Sequence, residues 1–236
     1  MNFSSFDFKS EIIRAVCQLG FENATRIQEK VIPRILTGDA DLIGLAQTGT
    51  GKTAAFGLPL IQLIDFQSQT LQGLILCPTR ELCIQIAGDL KLFSRHISKA
   101  RIAAVYGGAD IREQIRALKK GAQIIVATPG RLLDLIHRKA VKLNSVSHAV
   151  LDEADEMLNM GFQEDIDEIL KQTPAEKRTC LFSATMTNAA AKIADAYMIR
   201  PVTIRAGLPN KTAENITHAC YVIKEKDRYA ALKRLI

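Results

Sequence analysis

The chain has 236 residues, 47% hydrophobic and 24% charged, which are ordinary globular values and exclude a disordered or fibrous protein. At about 150 residues per domain, one full domain fits with some chain to spare, and a core of this size needs no disulfide or metal staple. No apolar run reaches the length of a membrane span, and the start of the chain, with Asp7 and Glu11, lacks the basic and apolar stretches of a signal peptide, so a cytoplasmic location is expected. The formal charge of +6 permits a polyanionic partner without proving one: residues 207–236 hold six Lys or Arg and three Asp or Glu, leaving only +3 for the rest. The five cysteines, Cys17, Cys77, Cys83, Cys180 and Cys220, form no C-x-x-C pair, so reduced and mostly buried thiols are expected.

In chain order, two helical patterns at 11–19 and 26–36 come first. Continuous apolar runs of strand length then follow at 42–46, 74–77, 102–106, 124–127, 148–151, 180–183 and 202–204. Runs without polar alternation suit strands buried on both faces, as in a parallel sheet. Between them, 54–64, 81–93, 112–118, 131–136, 166–170 and 189–197 have helical spacing. Strand alternating with helix predicts an α/β domain, a central mostly parallel sheet with helices on both faces. After Arg205 the pattern changes: 206–210 reads as a turn or linker, and 221–223 with 227–235 as one strand and one helix. Thirty residues cannot bury a core of their own, so 1–206 reads as one domain and 207–236 as a linker with the incomplete start of a second. The apolar tail is expected to dock on its own first domain or to pair with another copy in a crystal.

Behind the run ending at Leu45 stands Ala46-Gln47-Thr48-Gly49-Thr50-Gly51-Lys52-Thr53, the phosphate-loop pattern with Ala46 in place of its first glycine. Glycines let successive N–H groups turn toward a phosphate chain at the positive end of the next helix. Lys52 offers charge to the phosphates, and the Thr53 hydroxyl can ligate Mg²⁺. A glycine-rich turn that only caps a helix is the alternative. Such a loop needs an acid on a neighbouring strand, and Asp152 and Glu153 end an apolar run. Asp152 suits the metal, and Glu153 can polarise the water that attacks the γ-phosphate.

With Ala154 and Asp155 these acids spell Asp-Glu-Ala-Asp. Pro78-Thr79-Arg80-Glu81-Leu82, Gly107-Gly108, Thr128-Pro129-Gly130-Arg131 and Ser183-Ala184-Thr185 stand around them. From about Phe3 to Arg205 the sequence resembles the N-terminal RecA-like domain of a DEAD-box ATP-dependent RNA helicase, a P-loop NTPase fold. The resemblance implies binding of ATP with Mg²⁺, contact with RNA and an ATP-dependent helicase activity. Residues 1–30 are similar to the family's adenine-reading segment, with Phe3 as its upstream aromatic and Gln28 as the amide that selects ATP over GTP. Thr25 and Gln28 also make a capping box, and both readings can hold together. Ala24 stands where the family usually has proline, which would leave this loop less rigid.

The resemblance assigns nucleotide contacts to Thr48, Gly49, Thr50, Gly51, Lys52 and Thr53. RNA contacts fall to Thr79, Arg80, Gly108, Thr128 and Arg131, of the backbone kind that carries little sequence specificity. Ser183 and Thr185 are expected to hydrogen-bond Asp155 and to couple ATP state to RNA state. The family's second RecA-like domain supplies an arginine finger, worth about 10³ to 10⁵ in rate in related phosphate chemistry, and no such motif precedes Ile236. The chain alone is therefore expected to turn ATP over poorly. A nucleotide-gated RNA-binding scaffold without useful catalysis and an unrelated P-loop ATPase are the alternatives.

Overall fold

The computed structural model describes residues 1–38, 40–206 and 219–235. The chain divides into two units, Met1–Ala206 and Gly207–Ile236. In the first unit, helices α1 (Ser10–Gln18) and α2 (Arg26–Thr37) precede the alternation. Then come β1 (Leu42–Leu45), α3 (Lys52–Leu63), β2 (Gly73–Leu76), α4 (Arg80–Phe93), β3 (Ile102–Val105), α5 (Ile111–Lys119), β4 (Ile124–Ala127) and α6 (Pro129–His137). The series closes with β5 (His148–Leu151), α7 (Ala154–Asn159), α8 (Gln163–Lys171), β6 (Arg178–Ser183), α9 (Asn188–Tyr197) and β7 (Val202–Arg205).

The strands form one sheet in the order β3-β4-β2-β5-β6-β1-β7, and each neighbouring pair is parallel. Alternate strand residues serve two cores. Ile75, Val126, Val150 and Phe182 pack with α1 to α4 on one face, while Leu74, Leu76, Ile125 and Leu181 pack with α6, α8 and α9 on the other. This double burial is why the strands read as unbroken apolar runs. Asp41 fixes the start of β1: its buried carboxylate accepts from the Thr179 N–H at 2.7 Å and the Ile199 N–H at 2.6 Å, tying β1 to β6 and to the turn before β7.

The second unit shows a 3₁₀ turn (Glu225–Asp227) running into helix α10 (Arg228–Leu235), with Arg228 paired to Glu225 at 3.3 Å. The expected strand at 221–223 is not formed; a strand needs a ladder partner, and none is present within the described residues of this unit. Residues 207–218, on which the linker reading falls, lie outside the described residues. Among the described residues no helix is long and apolar enough to cross a membrane. All five cysteines are free thiols. Cys77 and Cys83 are buried and Cys180 is half-buried, but Cys17 and Cys220 are exposed, Cys17 because it falls outside the buried stripe of α1.

Candidate nucleotide and RNA site

Every residue singled out after a strand stands at the carboxyl edge of the sheet, where open α/β sheets form their binding crevice. The strand order decides which of them meet. The phosphate loop follows β1, the acids follow β5 and Ser183 closes β6, and these three strands are neighbours. Lys52 opens α3, and its ammonium lies 3.9 Å from Asp152 Oδ1, both side chains being buried. That distance is too long for a hydrogen bond, and among the described residues Lys52 Nζ has no hydrogen-bond partner. A buried cation left unbonded is costly unless something else supplies an acceptor. Burial pushes the Asp152 carboxyl up to about 6 against the pull of Lys52, and the charge of Glu153 adds to the push.

Gly51, with φ +89°, turns the loop into α3; a Cβ there would stand 2.5 Å from Gln28 Nε2. Glu153 adopts φ 52°, ψ 50°, a left-handed conformation that costs a side chain of its size free energy. Its N–H donates to Asp152 Oδ1 at 3.1 Å. The strain is therefore placed at the residue read as the water-activating base.

Thr48, Gly49, Gly51, Lys52 and Thr53 line a cavity of about 510 Å³ together with Gln28, Asp152 and Glu153. Its far end is walled by Leu19 and Phe21 from the α1–α2 connection and by Gln85, Asp89 and Leu92 of α4. Thr50 is not part of the wall: its hydroxyl donates to the Gln47 carbonyl at 2.8 Å and braces the loop. Phe3 is not either. Its ring is buried beside Phe6 and Phe21, at centroid distances of 5.9 Å each, so it supports Phe21 from behind.

Gln28 links the cap of α2 to the phosphate loop. Its Oε1 accepts from the Thr25 N–H at 2.8 Å, and its Nε2 donates to the Gly51 carbonyl at 3.1 Å. The Thr25 hydroxyl adds a second link, donating to the Thr50 carbonyl at 2.9 Å. One amide hydrogen and one lone pair of Gln28 remain for a ligand.

Asp155 joins β5 to β6. Its Oδ2 accepts from both the N–H and the hydroxyl of Thr185, each at 2.9 Å. Burial works to raise this carboxyl, but its polar neighbours Ser183 and Thr185 outweigh it and hold the group below its usual range. Ser183 also stands beside Asp155 and helps hold its carboxyl low, while its hydroxyl lies 2.6 Å from the Thr185 carbonyl and shapes the turn that presents Thr185.

The remaining residues cluster at the other half of the edge, after β2, β3 and β4. Thr79 caps α4, accepting from the Leu82 N–H at 3.2 Å. Arg80 lies exposed with its guanidinium 5.2 Å from the centre of the Tyr106 ring. Gly108 is exposed with φ +79°, and Thr128 caps α6. Arg131 reaches across from α6: its Nη1 donates to the Ala109 carbonyl at 3.0 Å and to Gln114 Oε1 at 3.3 Å. Gln114 in turn donates to the Tyr106 carbonyl at 2.9 Å. Arg131 thus braces the loop carrying Gly107 and Gly108, which its charge alone did not indicate.

Comparison with known proteins bears on this arrangement directly. The DEAD/DEAH box helicase family model matches residues 25–193. The chain belongs to that family. The ATP-dependent RNA helicase CshA of Listeria monocytogenes is 52% identical over 236 residues, 99% of this chain and 45% of that protein. The DEAD-box ATP-dependent RNA helicase CshA of Bacillus subtilis is 45% identical, over 100% of this chain and 47% of that protein. The chain therefore spans about half the length of these curated relatives. Among solved structures, a DEAD box protein from the hyperthermophile Methanococcus jannaschii superposes with a TM-score of 0.84 at 42% identity, covering 100% of this chain and 63% of that one.

The DEAD-box chain therefore has a RecA-like fold, and its namesake acids, Asp152 to Asp155, sit at the border between the phosphate-loop half and the Arg80 half of the crevice. Two contributors escaped the sequence reading, Gln114 and Tyr106; Phe21 and Thr25 fell inside the adenine-reading segment at 1–30, Thr25 as half of the capping box. Only Gln114 left a usable trace, a polar residue inside the apolar stripe formed by Ile111, Ile115 and Leu118.

Proposed function

We propose that this DEAD-box domain binds ATP with Mg²⁺ and forms the nucleotide-binding half of a cytoplasmic RNA-dependent ATPase that unwinds short RNA duplexes or remodels RNA–protein complexes. The observation that carries the proposal is the buried, unbonded Lys52 ammonium, facing Asp152 in a cavity that also holds Gln28. A phosphate chain supplies the missing acceptor. The similar proteins named ATP-dependent RNA helicases support the reaction class.

Thr53 and Asp152 would hold Mg²⁺, which offsets phosphate charge when bound; a carboxylate and a hydroxyl at the head of a helix are the oxygen donors such an ion takes. The N–H groups of Thr48 to Lys52 and the Lys52 ammonium grip the phosphates. Gln28 uses its spare hydrogen and lone pair on the adenine edge, and Phe21 packs against the nucleoside. Glu153 orients the attacking water and accepts its proton. Thr79, Arg80, Gly108, Thr128 and Arg131 meet the RNA backbone. Asp155, through Thr185, passes the state of one half of the crevice to the other. Residues 207–236 are the linker and opening of a second RecA-like domain.

The test is RNA-stimulated phosphate release by the full-length protein and its Glu153→Gln variant. The variant should bind ATP and RNA while turnover falls by about two orders of magnitude or more. Equal turnover would remove Glu153 from the mechanism, and absence of turnover in the unaltered protein would favour a nucleotide-gated scaffold.

A further inference from the structure

A second cavity, of about 750 Å³, shares no lining residue with the nucleotide cavity. It runs along the outer side of β3, between the last turn of α4, which supplies Lys91, and the end of α5 with its cap, which supply Arg116 and Lys120. Its floor is small and apolar, made by Ala100, Ala103 and Ala122. Four cations, the fourth being Arg101, face one carboxylate, Glu113. The Arg101 guanidinium donates to the Lys120 carbonyl, which ties the rim together.

The strand beneath is an edge strand, bonded to β4 alone. The Arg101 carbonyl accepts from the Gln123 N–H at 3.0 Å and the Val105 carbonyl from the Thr128 N–H at 2.9 Å, both on the β4 side. By the alternation of a parallel ladder, the N–H and C=O groups of Ile102 and Ala104 point the other way, off the free edge of the sheet, and Ile102 lines the groove. An open edge of this kind is a template for another strand unless covered.

We propose that this groove receives an extended acidic segment of a partner protein, which adds a strand to β3 and sets its carboxylates against Lys91, Arg116 and Lys120. Main-chain bonds to Ile102 and Ala104 would supply affinity, and alternate side chains would meet the alanine floor and the cationic rim. RNA suits the groove poorly. The cavity has no aromatic side chain on which a base could stack. It also opens at the start of β3, roughly 13 Å of strand away from Gly108 and the other backbone-binding candidates. Because the two cavities are separate, the partner and the nucleotide can be held together.

A short labelled peptide alternating glutamate with valine, titrated into the full chain and followed by fluorescence anisotropy, tests this. It should bind. Affinity should fall at least about tenfold in the Arg116→Glu, Lys120→Glu double variant, and on N-methylation of alternate peptide nitrogens. Mg-ADP affinity of the double variant should stay unchanged, which reports that the fold and the nucleotide site survive. A short labelled oligouridylate should bind the variant as well as the parent. No peptide binding, binding indifferent to the substitutions or to N-methylation, or a loss of oligouridylate affinity in the variant would each overturn the proposal, the last by assigning the groove to nucleic acid.

Discussion

The pair Lys52 and Asp152 shows how one site can be both legible and incompletely read. Their types and order point to a phosphate loop and its acid, because glycines, a lysine and a threonine before a helix, with a carboxylate ending another apolar run, are what phosphate and metal binding ask for. What the sequence could not give is their burial, and burial decides their chemistry. Asp152, pushed up to about 6, must ionise before it can hold a cation. Mg-ADP affinity should therefore be flat above about pH 6 and fall up to tenfold per unit below it, whereas Asp152→Asn binds more weakly and lacks that bend. The difference between the two proteins is the readout, since ionisation of the nucleotide is common to both. The stability sign follows from the same shift: the folded value exceeds the unfolded one, so protonated Asp152 favours the fold, and this contribution is lost as pH rises through about 6. Gln28 carries two duties at once. Gln28→Ala should lower stability by about 1 kcal/mol through the lost cap and also loosen the phosphate loop at Gly51. If it also reads adenine, preference for ATP over GTP in competition binding should fall; a purely structural residue would leave that ratio intact. Tyr106 was invisible because its meaning comes only from which distant element lies against it.

Among elements, the strands were the most legible, since burial on both faces leaves uninterrupted apolar runs; 124–127 and 148–151 match β4 and β5 to the residue. Helix α7, with six residues, is too short to show a period, and it exists because Glu153 accepts a strained turn at its head. The run at 221–223 shows the opposite failure: strand composition without a ladder partner does not make a strand. Asp41 was unreadable, an acid before a strand whose two acceptor bonds join segments far apart in sequence. Asp41→Ala should cost about 3 kcal/mol or more in denaturant unfolding, because two buried N–H groups lose a charged acceptor. Asp41→Asn should recover part of that loss. For the loop after β3, Arg131→Lys keeps the charge but not the rigid planar guanidinium whose Nη1 serves both Ala109 and Gln114. Amide exchange at Gly107 to Asp110 should quicken and RNA affinity fall; unchanged exchange would confine Arg131 to a direct phosphate contact.

In the whole molecule, the strand order sorts the chemistry: β5, β6 and β1 gather the candidate nucleotide residues, β3, β4 and β2 gather the candidate RNA residues, and Asp155 stands at their border. The alternation of elements foretold the class of fold but not this order, which long-range pairing alone fixes. Under the proposed function, a domain so divided binds both ligands and leaves full catalysis to a partner domain. The 236-residue chain should accordingly bind Mg-ADP yet hydrolyse ATP at least about 10³-fold more slowly than the full-length protein with RNA; comparable rates would show that no further domain is needed. On this reading the buried Lys52 ammonium is the group that meets a phosphate chain. Calorimetric titration of Mg-ADP into the chain and into Lys52→Ala, with circular dichroism to confirm that both are folded, tests it most directly. Measurable binding by the first and none by the second is expected, whereas equal affinity in the two would show that Lys52 holds no phosphate.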